Sequence, residues 1–164
     1  MGAAEFPRIG LDEAVEHLGT MPAFVAAAIE TASAEELVFR PGKDEFSLTE
    51  QACHLRDLER EGYLLRVRRI LGEDVPKLEP FDGAAVARSR DYLAQNARSA
   101  VREFALARRE LLALIANLEE KDLAREATFE GKRITLADLV AMIADHDRGH
   151  REEIEGLLDA FESP

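Results

Sequence analysis

A single cysteine, Cys53, in 164 residues leaves no partner for an internal disulfide. That absence excludes a disulfide-stapled fold and fits a reducing cytoplasm, the expected location. Positive charge is also short. Lys and Arg number 21 against 33 Asp and Glu, a formal charge of −12, and such a surface repels phosphate. Nucleic-acid partners are therefore not expected, nor is an anionic membrane surface. The longest apolar run, Met21 to Ile29, is too short to span a bilayer. No basic stretch followed by an apolar core opens the chain, and residues 1–10 read as a loose leader. Tryptophan is absent and tyrosine occurs twice. Phosphate-binding glycine loops, a C-x-x-C pair and a G-x-S-x-G elbow are all missing, so nucleotide and serine-hydrolase chemistry have no support.

What is present is Ala, Leu, Glu and Arg, a helix-favouring mixture. Apolar residues make up 46% and charged residues 33%, enough for one domain over residues 11–164 with a sizeable core. Residues 11–33 read as a first helix, with Pro22 placed to bend or divide it. His17, between acidic neighbours, reads as solvated. After a connection containing Pro41-Gly42, Ser47 and Glu50 form a capping box that opens a second helix. This helix carries Cys53, His54, Leu55, Leu58, Leu64, Leu65 and Ile70 and ends near Gly72. Arg66, Arg68 and Arg69 read as its solvated last turn. Residues 72–87 hold Pro76, Pro80 and Gly83, long enough for a crossover. A third helix is expected over 88–118. A connection follows with an extended piece near 127–129, and Thr135 with Asp138 caps a fourth helix running to about Phe161. Four amphipathic helices make an all-α four-helix bundle with a long crossover between helices two and three.

The fourth helix holds two of the four histidines. Leu136, Val140, Ile143, His146, His150, Ile154 and Leu157 follow one another at helical spacing, which puts both imidazoles on the apolar face. A buried polar ring without a partner costs roughly 1–3 kcal/mol, so each needs one. Either carboxylates hold them as core histidines, or they converge on a metal ion. The H-E-x-x-H glutamate is lacking, which removes the metalloprotease mechanism. With His54 from helix two, His146 and His150 form a three-imidazole set suited to zinc or a similar divalent ion with an open position. Asp57, three residues after His54, is the candidate general base or ring-orienting carboxylate, and Asp145 and Asp147 flank His146. Cys53 lies about 100° round the helix from His54 and reads as core packing.

Three stretches together resemble the DinB/YfiT-like superfamily: Phe46 to Glu59 with its His-x-x-Asp, Gly131 to Leu139 before the last helix, and Ile143 to Ile154 with its His-x-x-x-His. The resemblance covers the chain after the leader. It implies up-down-down-up topology and a divalent ion, zinc or nickel, on His54, His146 and His150. It also implies a homodimer in many members and activity on a small molecule by hydrolysis or by transfer of a low-molecular-weight thiol. A non-catalytic, stress-related bundle that binds a metal or small molecule is the alternative.

Overall fold

The computed structural model describes residues 10–162; the expected leader, apart from Gly10, lies outside them. Helix α1 spans Leu11–Glu30 and buries Ala14, Leu18, Met21, Val25 and Ile29 at helical spacing. Pro22 lies inside it without dividing it. A one-turn helix, α2 (Ala34–Leu37), sits in the following connection behind a Ser33/Glu36 capping box.

The second long helix has three parts: α3 (Leu48–Asp57), a π-helical turn (Leu58–Tyr63) and α4 (Leu64–Gly72). Its Ser47/Glu50 box forms as expected, and Arg40 holds the same Glu50 carboxylate through two bonds of 2.7 and 2.6 Å. The π turn was not expected. Its wider hydrogen-bonded ring takes up one extra residue, so all that follows is rotated by roughly 100° against a plain α-helix. Two expectations reverse in consequence. Leu65, read as part of the apolar stripe, is 51% exposed, and Arg66, read as solvated, is buried at 8%. Arg68 and Arg69 pair with Glu110 and Glu73 in partly open surroundings, as a last turn should.

The crossover carries strand β1 (Lys77–Leu78), helix α5 (Gly83–Arg90) and a 3-10 turn (Tyr92–Ala94). Residues 88–118 are therefore not one helix. Asp91 adopts a left-handed conformation, φ 45°, that stops α5. Asn96 then caps the true third helix, α6 (Ala97–Ala116), by accepting from the Ser99 N–H at 2.9 Å. Past α7 (Glu120–Leu123), strands β2 (Glu126–Phe129) and β3 (Lys132–Thr135) form a hairpin. Its turn, Glu130-Gly131, has positive φ at both residues (50° and 78°), the conformation that tight hairpins select. Strand β1 adds parallel to β2, tying the crossover to the hairpin in a three-stranded sheet of which only the centre was expected. The Thr135/Asp138 box opens α8 (Leu136–Glu162).

Helix directions follow from the packing. One apolar cluster gathers Ala14 and Leu18, Leu64 and Val67, Leu111 and Ile115, and Leu136 to Ala144. The other gathers Met21 to Ile29, Leu48 to Leu55, Ala97 to Phe104, and Ile154 with Leu157. The first and last helices thus run from the first cluster to the second, and the middle two run the other way. That is up-down-down-up. Arg56–Glu103 and Arg68–Glu110 pairs confirm that helices two and three are parallel, an arrangement only a long crossover permits. Among the described residues no helix is long and apolar enough to cross a membrane.

Candidate metal centre

Between the two apolar clusters the bundle carries buried polar groups. The α3 segment supplies His54 and α8 supplies His146 and His150. Because helices two and four are antiparallel, His54, near the start of one, meets the middle of the other. The ring centroids lie 4.8 Å apart for His54 and His150, 4.7 Å for His146 and His150, and 6.5 Å for His54 and His146. The three residues singled out from sequence are therefore brought together. His54 and His150 are buried, whereas His146, expected in the core, is exposed at the mouth of the cavity, and Asp147 takes the buried position beside it.

The donors fit a divalent ion in chemistry more closely than in placement. Burial, followed by the fields of His150 and His146, lowers the His54 pKa to about 3, so its ring is neutral and keeps a lone pair. Burial and His150 likewise lower the pKa of His146. Nδ1 of His54 is buried without a hydrogen-bond partner. His150 Nδ1 lies 3.0 Å from the Gln51 amide oxygen, and donation there leaves Nε2 free to ligate. Gln51 in turn donates to Glu153, whose carboxylate stands 3.5 Å from the same ring nitrogen. Imidazoles sharing a tetrahedral ion through bonds of ~2.0–2.1 Å would have centroids roughly 5 Å apart, so two of the three separations suit one. The third is wider, and among the described residues no three His, Cys, Asp or Glu side chains are placed closely enough to hold a metal ion as they stand.

A cavity of about 410 Å³ opens over all three rings. Leu58, Tyr63 and Arg66 line it from helix two, and Leu139 and Met142 from α8. Its roof comes from the two connections, Phe81 and Gly83 from the crossover and Phe129 and Glu130 from the hairpin. Gly83 is placed tightly: a Cβ there would stand 2.6 Å from His54 Cε1, so only glycine lets α5 begin against the ring. Sequence reasoning missed Arg66, Tyr63, Gln51, Glu153 and Gly83. The His-to-Glu step of three residues, His150 to Glu153, was the one available signal.

Asp57 is not among the cavity's lining residues. It is buried and accepts from Arg56 at 2.8 and 3.2 Å and from the Tyr92 hydroxyl at 2.6 Å, with Arg90 at 3.0 Å. Burial alone would raise its pKa, but these donors outweigh it and hold the carboxyl below its ordinary value. A carboxylate so occupied anchors the crossover to helix two and has no free oxygen turned to the histidines. Asp145 is exposed beside Arg148, and Asp147 bonds to Arg108 rather than orienting a ring. Cys53 is sealed in the core, burial pushing its thiol up to about 11, which leaves it unreactive.

A four-helix bundle with two parallel central helices and a mid-bundle histidine cluster is the class of protein these features define. The DinB superfamily model matches residues 14–154, and the chain belongs to that superfamily. Its fold is similar to the YfiT protein of Bacillus subtilis, a probable metal-dependent hydrolase with an unusual four-helix bundle topology. The TM-score is 0.87 at 19% identity, with all of this chain and 97% of that one covered. No curated protein matches the chain.

Proposed function

We propose that His54, His146 and His150 hold a divalent metal ion, zinc or nickel, in an enzyme that hydrolyses a small molecule. The observation that carries this reading is the convergence of three imidazoles, two with lowered pKa, on one cavity, with a buried ring nitrogen that no group among the described residues satisfies. The description of YfiT as a probable metal-dependent hydrolase supports it. When bound, such an ion supplies Lewis acidity and brings the pKa of a bound water towards ~7.

The chain's own residues do the rest. Gln51 and Glu153 fix the His150 ring with its Nδ1 turned away from the cavity. Tyr63, its phenol held protonated by burial, presents a neutral donor beside His146. Phe81, Phe129, Leu139 and Met142 exclude water from the substrate body. Asp57 positions helix two and the crossover. Transfer of a low-molecular-weight thiol at the same centre needs an external thiol, because Cys53 is out of reach.

Metal content by mass spectrometry, on the parent and on His54→Ala and His150→Ala, tests the centre. About one transition metal per chain, lost in both variants with the helical spectrum kept, is the expected result. A parent that takes up neither zinc nor nickel would leave these as structural histidines. Melting of the metal-loaded protein with a panel of thiols then separates transfer from hydrolysis, since a ligand of the folded state raises Tm.

A further inference from the structure

Arg66 is buried, yet among the described residues no carboxylate closes on it. Of the five N–H donors of a guanidinium, one is used: an Nη atom donates to the Glu79 carbonyl oxygen at 3.2 Å. Nε is buried and has no partner. The guanidinium carbon lies 4.8 Å from the Phe129 ring centroid and 5.9 Å from that of Tyr63, so its faces meet aromatic rings and its edge is left for a ligand. Glu130 lines the same cavity and its field favours the Arg66 charge, but it forms no ion pair with it. Burial works the other way and lowers the Arg66 pKa.

The π turn brings Arg66 here. Twelve residues separate it from His54. In an unbroken α-helix they turn through about 1200°, which leaves the two side chains roughly 120° apart. Absorbing one residue in the π turn reduces this to about 20°, and both line the cavity. Gly62, inside that turn, keeps the space clear: a Cβ there would stand 2.9 Å from Leu58 Cδ1 and 4.0 Å from the Arg66 guanidinium carbon.

We infer that Arg66 is the anion-recognition residue of this cavity and that the ligand is a small monocarboxylate with an apolar body, its carboxylate on the free edge of Arg66 and its other end towards the three histidines. The fork geometry of guanidinium suits a planar carboxylate. A phosphate is disfavoured because, among the described residues, Arg66 is the only lysine or arginine lining the cavity, and Glu130 stands in the same wall. The apolar body follows from Phe81, Phe129, Leu139 and Met142. Tyr63 joins the two ends, its ring 6.2 Å from that of His146. This inference rests on the cavity's being the substrate site; it does not require that the metal be present.

The test is calorimetric titration of the parent, Arg66→Met and Arg66→Lys with phenylacetate, neutral phenylacetamide and inorganic phosphate, alongside metal content of each preparation. Phenylacetate should bind the parent at least about tenfold more tightly than phenylacetamide or phosphate do. Arg66→Met should lose that preference with its metal content unchanged, and Arg66→Lys should keep part of it, since charge remains and the fork does not. A parent indifferent to phenylacetate, equal binding to parent and Arg66→Met, or tighter binding of phosphate would each overturn the inference. Arg66-dependent phenylacetate binding in a parent that takes up no metal would sink the metal-centre reading and leave this one standing.

Discussion

Among the described residues two arginines are buried, and they are treated in opposite ways. Arg108 on α6 is 1% exposed and closed on every side. It donates to both oxygens of Glu59 at 2.8 and 2.9 Å, to both of Asp147 at 2.6 and 3.0 Å, and to the Leu18 carbonyl at 2.9 Å. Burial works against its charge, but the field of Glu59 and the bonds that Asp147 accepts outweigh it and raise its pKa above the ordinary arginine value. Arg66 is nearly as buried, has one bond to a carbonyl and faces a cavity. The first arginine joins all four long helices, since Leu18, Glu59 and Asp147 lie on the other three. The second touches the crossover through one carbonyl and the hairpin through the Phe129 ring, and among the described residues no carboxylate pairs with it. A buried charge that serves structure is saturated by the chain itself. One that is left open has a partner still to come.

The largest test of this contrast is Arg108→Met. It strands two carboxylates without a cation and should cost about 3–5 kcal/mol in a denaturant melt. A loss below about 1 kcal/mol would show that water, not Arg108, satisfies Glu59 and Asp147. Next is Gln51→Ala, which frees His150 Nδ1 and should weaken metal affinity roughly 10–100-fold, read by competition with a chelator. Unchanged affinity would remove Gln51 from the centre. Asp57→Asn should cost about 1–2 kcal/mol of stability through its weakened guanidinium bonds while metal affinity stays within twofold. If instead turnover vanishes at full stability, once a substrate is in hand, the general-base role read from sequence returns. The smallest effect belongs to Arg66→Met, which removes a charge the fold never paired and should melt within about 1 kcal/mol of the parent or above it. A loss as large as that of Arg108→Met would erase the distinction between the two arginines.

The bundle was legible because its signals are local. Ser47 with Glu50 and Thr135 with Asp138 announce two helix starts, and apolar spacing names most of the faces. The His54, His146 and His150 cluster was legible for the same reason, two periodic helices and a shared level. Asp57 lies outside the cavity wall because three residues on a helix mark a shared face only loosely. The carboxylate found Arg56, Arg90 and Tyr92, and the last two arrive from a crossover whose path no periodicity reports. The break at Asp91 was hidden by helix-favouring residues on both sides. The sheet was missed because β1 is two residues long and its partners, Thr128 and Phe129, lie in a hairpin far along the chain. Arg66 was missed for a different reason: three arginines near a helix end read as a solvated last turn, and the π turn that carries Arg66 inward leaves no mark in the apolar spacing.

That turn has a consequence for the way this protein can change over evolutionary time. Deleting one residue between Leu58 and Tyr63 would restore an unbroken α-helix and swing the following turns back by about 100°. Leu65 would move inward and Arg66 would leave the wall. The histidines, all set by the helix start and by α8, would stay where they are. A one-residue insertion or deletion, ordinarily disruptive inside a helix, acts here as a toggle between a cavity that greets an anion and one that greets a neutral, greasy molecule.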